Sequence, residues 1–437
     1  MKKINLSAKA YLIIMISLIS LALVLGTVAL VINMKDNKSQ KEDTDNNSNI
    51  SSEAGLGEDS GTGSGSGASS APTKSPSPTS APSPAPGDFS YKDDDGNILT
   101  EDSRLFNLYG RFIVEELADG KVKYFGNWTG SEIEFSFKGT DAWLHLSGVE
   151  KFTTMEGVYM GVYIDGSDEP DRIVEVRGED WYQVVEGLPD GDHNIRVFKH
   201  SEAFTGKFSF YGIKIKGPGH FNLPPPKPQL SLEIIGDSIT AGFGNMAANQ
   251  SVPFNVKQEN GYLTYGVMLA RKLSAQAHYL AWSGIGVLQN NDGRKFNTMP
   301  KIYKQTFPDI SLSYWDFASY VPDIIVINLG TNDMASNAVP EDFKQTYIKF
   351  LELVRENNPT SAIFCTMGSM GTRLVPSMVD AVEEFKQAGN DKVFAVPLPV
   401  QSAADGYGAA GHPSVKTHEK IADLLYEEIN NYLKGNK

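Results

Sequence analysis

Two periods of apolar residues divide the chain. Between residues 89 and 220 apolar and polar positions alternate. Ile133, Phe135 and Phe137 interleave with Glu132, Glu134 and Ser136, and Val158, Met160, Val162 and Ile164 repeat the period before an Asp165-Gly166 turn. Ile195 and Val197, then Ile213 and Ile215, continue it. A period of two belongs to a strand with one buried face. Short strands between Gly and Asp turns, with no long helical stretch, predict an antiparallel β-sandwich of jelly-roll type. Pro224-Pro225-Pro226-Lys227-Pro228 then breaks regular structure and marks a boundary.

From residue 229 to 437 the rhythm changes. Leu232 to Ile235 is a short apolar strand ending at Gly236, and Tyr262 to Leu273 has helical spacing before a strand at Tyr279 to Trp282. Asp323 to Leu329 is a continuous Ile/Val run, as in a strand buried on both faces. Phe343 to Val354 and Pro376 to Gln387 read as helices, Ile363 to Thr366 and Val393 to Pro397 as strands, and Val415 to Leu433 as a closing helix. Alternating strands and helices predict a three-layer α/β domain around a parallel sheet. Sites in such sheets form at the carboxyl ends of the strands.

Tyr11 to Met34 carries no charged residue and follows Lys2, Lys3 and Lys9. As a helix it would span roughly 36 Å, enough to cross a bilayer core. The run is longer than a cleaved signal's apolar core, and only Thr27-Val28-Ala29 resembles a cleavage site. Residues 1–35 therefore read as a signal anchor, with the rest of the chain exported to the cell exterior; the alternative is cleavage and secretion. Residues 36–88 are rich in Ser, Gly, Pro, Thr, Asn and Asp, with Ser-Pro and Ala-Pro runs. Such a segment buries too little apolar area to fold and reads as a disordered linker.

Composition narrows the chemistry. The 437 residues hold 39 Lys and Arg against 53 Asp and Glu, a formal net charge of −14. An acidic chain without a basic patch argues against a nucleic-acid partner, while a neutral polysaccharide remains compatible. A single cysteine, Cys365, excludes an intrachain disulfide framework, and it sits in an apolar run as a small hydrophobe would. The seven histidines are scattered, so no metal site is expected. Oligomeric state stays open.

Three short motifs carry the chemistry: Gly236-Asp237-Ser238, Gly330-Thr331-Asn332-Asp333 and Gly411-His412-Pro413-Ser414. Gly284, in Ser283-Gly284-Ile285-Gly286, lies between the first two. Ser238, Gly284 and Asn332 each fall just past a predicted strand, and His412 follows the last one after a loop. A serine hydroxyl is a weak nucleophile that needs a base, and His412 supplies one. A tetrahedral intermediate needs donors at its oxyanion: the N–H groups of Ser238 and Gly284 and the Asn332 amide. The structural alternatives are a helix-capping Ser238, a turn-forming Asn332 and a surface His412. Asp333 reads as a structural partner, and His418 as a packing residue of the last helix.

These blocks resemble the SGNH subgroup of the GDSL esterases and lipases; the Gly-x-Ser-x-Gly elbow of α/β-hydrolases is absent. A jelly roll ahead of such a domain is similar to carbohydrate esterase family 2. The closer likeness is carried by Tyr109-Gly110-Arg111, Phe137-Lys138-Gly139-Thr140, Ile164-Asp165-Gly166 and Lys199-His200-Ser201-Glu202 in the first domain. In the second it is carried by Gly236 to Gly242 and His412-Pro413-Ser414, the whole covering roughly residues 105 to 435. The resemblance implies a flavodoxin-like parallel sheet and an acetylxylan esterase-like enzyme. It would remove O-acetyl groups from xylan, glucomannan or related plant cell-wall carbohydrate through a Ser238–His412 mechanism, with no cofactor. The first domain would pack beside the site.

One departure matters. The orienting aspartate of the wider group lies three residues before the histidine, where this chain has Ala409. Asp405 is the nearest upstream carboxylate. Three outcomes stay open: Asp405 reaches the imidazole, a backbone carbonyl orients it, or activity is reduced, and the resemblance favours the carbonyl. Trp315 and Trp282 are candidate sugar platforms, with core packing as the alternative for both. The rival functions are a carbohydrate-binding protein with an inactive hydrolase domain and a lipase or thioesterase acting on lipid esters.

Overall fold

The computed structural model describes residues 89–150, 153–310 and 312–435. The anchor and linker expected over residues 1–35 and 36–88 lie outside them. Among the described residues no helix is long and apolar enough to cross a membrane.

The first domain is built from two antiparallel sheets of seven and six strands. Glu132–Gly139 is central to the second sheet, pairing with Phe106–Tyr109, Gly191–Lys199 and His220–Asn222. Its Ile133, Phe135 and Phe137 meet Leu144, Leu146, Phe208 and Phe210 of the facing sheet in one buried cluster, as the period of two anticipates. The polar side of this strand departs from expectation, because only Lys138 is exposed. Glu132 receives two hydrogen bonds from the Arg196 guanidinium at 2.7 and 2.8 Å, and Glu134 one from Tyr109 Oη at 2.7 Å. The α/β domain covers that face. The Arg196 guanidinium lies 5.9 Å from the Tyr262 ring centre, and Tyr163 stacks on Tyr262 at 3.9 Å.

The second domain holds five parallel strands in the spatial order Gln276–Ala281, Ser231–Gly236, Ile324–Asn328, Ala362–Met367, Val393–Pro397. In chain order this is 2-1-3-4-5, the flavodoxin-like arrangement, with its switch point between the first and third strands. Side chains alternate between two cores. Ile235, Ile325, Ile327, Ile363 and Cys365 pack under the helices Pro340–Asn357 and Val375–Gln387. Leu232, Ile234, Val326 and Phe364 pack under Tyr265–Lys272 and Val415–Gly435. Both faces are covered, giving three layers. The helix expected from Tyr262 starts at Tyr265, because extended Thr264 (φ −98°, ψ 159°) separates it from a short turn at Gly261–Leu263. That break frees Tyr262 to dock on the sandwich.

The two domains share buried polar contacts as well as apolar ones. Arg111 of the sandwich pairs with Glu233 of the first parallel strand at 2.9 Å, both side chains buried. Trp128 Nε1 donates to Thr306 O at 2.7 Å.

Candidate active site

The strand Ser231–Gly236 delivers the serine. Asp237 caps the four-residue helix Ser238–Ala241 by accepting Ile239 N–H at 3.0 Å, and Gly242 ends it in a left-handed conformation at φ 93°. Gly236 permits the tight entry, since a Cβ there would fall 1.9 Å from Thr240 Oγ1. Ser238 Oγ lies 2.8 Å from His412 Nε2. His412 follows the short turn Ala409–Gly411, and its Nδ1 faces Ala409 O at 3.1 Å. A carbonyl only accepts, so Nδ1 carries the proton and the Nε2 lone pair faces the serine hydroxyl. The Phe243 ring, 4.5 Å from the imidazole, is itself stacked on Phe254. Burial pushes His412 down to about 4, the Ala409 carbonyl offsetting part of the fall.

Asp405 does not reach the imidazole. Its carboxylate is held by Lys420 at 2.7 and 2.8 Å and by Lys416 at 3.3 Å, and its own carbonyl accepts from Ser414. The reason is local: Asp405 ends the turn Ala403–Asp405 beside the last helix, where two lysines four residues apart share a face.

The donors gather beside the serine. Among the described residues neither the Ser238 N–H nor the Gly284 N–H has a protein acceptor. Gly284 is left-handed at φ 81°. Asn332, in the short helix Thr331–Ala335 after the third strand, directs Nδ2 to Ile285 O at 2.7 Å and to Asp237 Oδ2 at 3.2 Å. The amide thus ties the serine and glycine motifs together at the edge of the cleft. Burial pushes the Asp237 carboxyl up to about 7. Asp333 is structural: its carboxylate accepts the N–H groups of Val287, Leu288 and Gln289 at 2.8 to 3.0 Å.

Ser238, Gly284, Asn332 and His412 line one cleft of about 490 Å³. Its walls mix rings (Trp282, Phe204, Phe296) with polar groups (Asn290, Asp292, Arg294). Trp315 is not among them. It packs between the domains, 5.0 Å from the Arg111 guanidinium and 5.8 Å from the His278 ring, because its backbone N–H bonds to Lys304 O and folds the residue back over the buried ion pair. Trp282 takes the place at the cleft. Phe204 was not anticipated. It comes from the first domain, just past Lys199-His200-Ser201-Glu202, and only the docking of the two domains brings it to the site. Among the described residues no group of three or more His, Cys, Asp or Glu side chains is placed to hold a metal.

The comparisons match this two-part architecture. Residues 110–226 match the family description "Carbohydrate esterase 2 N-terminal", and residues 234–420 match the "GDSL-like Lipase/Acylhydrolase family". A family two carbohydrate esterase from Clostridium thermocellum, solved in complex with cellohexaose, is 33% identical with a TM-score of 0.69, covering 75% of this chain and 99% of that one. The chain belongs to carbohydrate esterase family 2. The cellulase/esterase CelE of Acetivibrio thermocellus is 36% identical over 314 residues, 70% of this chain but 37% of CelE. The chain therefore spans little more than a third of that relative's length. An acetylxylan esterase / glucomannan deacetylase of Cellvibrio japonicus is 27% identical over 339 residues, 74% of this chain and 90% of the relative.

Proposed function

We propose that this family 2 protein is an O-acetyl esterase of plant cell-wall polysaccharide such as xylan or glucomannan, working outside the cytoplasm from an N-terminal membrane anchor. The observation that carries the reading is the Ser238–His412 contact at 2.8 Å, with the far imidazole nitrogen held by a carbonyl, at the floor of an open cleft. His412 Nε2 takes the Oγ proton as Oγ bonds to the acetyl carbonyl carbon. Negative charge develops on the carbonyl oxygen beside the N–H groups of Ser238 and Gly284, while Asn332, whose two amide hydrogens go to Ile285 O and Asp237 Oδ2 in this structure, lines the cleft next to them. Collapse of this intermediate breaks the bond to the sugar oxygen, which leaves with the proton from His412. Water then attacks the acetyl-serine, gives a proton to the same nitrogen, and acetate departs as Oγ recovers its hydrogen. With its pKa lowered by burial, His412 is neutral at pH 7 and its Nε2 is free to accept a proton.

The cleft walls support a sugar over a lipid. Rings can stack against the C–H faces of a sugar, and Asn290, Asp292 and Arg294 can hydrogen-bond its hydroxyls, whereas an acyl chain needs an apolar channel. The location outside the cytoplasm and the anchoring rest on the uncharged run Tyr11 to Met34 and the linker after it. The test is acetate release from acetylated xylan, acetylated glucomannan and 4-nitrophenyl acetate. Release from a polysaccharide names the substrate. Release from none of the three leaves sugar binding as the function.

A further inference from the structure

The seven residues from Ser283 to Gln289 form the loop that presents Gly284, and their N–H groups can be accounted for one by one. Val287, Leu288 and Gln289 donate to the Asp333 carboxylate. Gly286 donates to Asn290 Oδ1 at 3.1 Å, and Ile285 to Trp282 O at 3.3 Å. Ser283 donates to Glu202 Oε2 at 2.8 Å, and its hydroxyl bonds to Glu202 Oε1. Gly284 alone is left without an acceptor, and it lines the cleft beside Ser238. The loop is thus hung between two carboxylates, Asp333 of its own domain and Glu202 of the β-sandwich. Every N–H of the loop but that of Gly284 is committed.

Glu202 is itself firmly fixed. It is fully buried, its N–H donates to Glu259 Oε2 at 2.9 Å, and its carbonyl accepts from Lys199 Nζ at 2.9 Å and Thr205 Oγ1 at 2.8 Å. Burial raises the Glu202 and Glu259 carboxyls and pushes the equally buried Lys199 down to about 7. A cluster of three ionisable groups in the dry joint between two domains is expensive to fold around. A pure packing role would be met by apolar side chains.

We propose that Glu202 is a positioning residue for the reaction: it clamps Ser283 at two points so that the Gly284 N–H is held at the oxyanion. The β-sandwich then completes the esterase site, and the α/β domain without it lacks one end of the clamp. The proposal rests on the Ser238–Gly284 reading above.

The test uses the full chain with Glu202→Gln, which turns one of the two acceptor atoms into a donor, and Ser283→Ala, which removes only the hydroxyl bond from a half-buried residue. The readouts are kcat and KM for 4-nitrophenyl acetate and inhibition by phenylboronic acid, whose adduct with the serine places an oxygen at the oxyanion donors. Removing an oxyanion donor outright costs about 10²- to 10³-fold in kcat, and misplacing one costs part of that. Each variant is expected to lose at least about tenfold in kcat and in boronate affinity with KM within about twofold. Ser283→Ala carries the test if Glu202→Gln does not fold. Parental kcat and boronate inhibition in the folded variants, or a loss confined to KM, overturns the proposal. A boronate-insensitive parent, or an active Ser238→Ala, overturns the Ser238 reading, and the proposal falls with it.

Discussion

Arg111 lets the joint between the domains be probed with one substitution. Its guanidinium donates to Glu233 Oε1 at 2.9 Å and to the carbonyls of Tyr303 and Gln305 at 2.6 and 2.8 Å. The rings of Tyr303, Trp315 and Phe317 surround it at 5.0 to 5.4 Å. Among the described residues, Arg111→Ala would leave the Glu233 carboxylate, 2% exposed, with only the Tyr303 hydroxyl at 3.0 Å. Orphaning one partner of a buried pair costs about 3–5 kcal/mol. The two carbonyls that lose a donor add about 1 kcal/mol each. The sum of roughly 5–7 kcal/mol is a large part of an ordinary domain's stability. At no more than about 2 °C per kcal/mol for a unit of this size, Tm should fall by up to about 10–14 °C. Because Arg111 and Glu233 belong to different domains, calorimetry of the full chain should show a single transition for the described region, moved as a whole. Arg111→Met with Glu233→Gln, which removes both charges, should recover most of the loss. A drop below about 1 kcal/mol, a double variant no better than Arg111→Ala, or a shift confined to one of two separate transitions would refute the reasoning.

Two further outcomes follow from the site. Asp405→Ala should keep kcat for 4-nitrophenyl acetate within about twofold of the parent, because Lys416 and Lys420 occupy its carboxylate; a loss approaching the roughly 10⁴-fold of a removed triad aspartate would place it at the imidazole after all. The acid limb of kcat/KM should lie near pH 4, since burial lowers the base from 6.5 to about 4 and only the neutral imidazole accepts the Ser238 proton; a limb at 6.5 would show that burial does not hold the imidazole down. Initial rates are needed, because buried His200, His278 and His418 also have lowered pKa values: the unfolded chain binds protons below pH 6.5 that the folded chain refuses, so Tm should fall as the pH drops from there.

Much of the second domain was readable because a parallel sheet buries both faces and so writes itself as apolar runs: Ile324–Asn328 and Val393–Pro397 were anticipated within a residue or two. Ser238, Gly284 and Asn332 were readable because each falls just past a strand, and His412 because it follows the last strand after a loop; the fold brings all four to one cleft. The rest depended on docking. Alternation along Glu132–Gly139 reports one buried face, and nothing in it announces that a second domain buries Glu132 and Glu134 as well. Across the same joint Phe204 reaches the cleft and Glu202 reaches Ser283 in the loop beside it. Trp315 looked like a sugar platform because an aromatic cluster reads the same in a cleft or over a buried arginine. The Ala409 carbonyl left no trace, since every residue carries one and only the turn at Ala409–Gly411 aims this one at Nδ1.

In the proposed function Ser238 and His412 act as a two-residue machine on a carbohydrate acetyl ester. The most direct test is acetate release from acetylated xylan and acetylated glucomannan by the parent, Ser238→Ala and His412→Ala. The parent should release acetate and each variant should lose at least about 10³-fold, the scale on which a nucleophile or its base fails when removed. A parent that frees no acetate, or a Ser238→Ala variant that frees it at the parental rate, would contradict it.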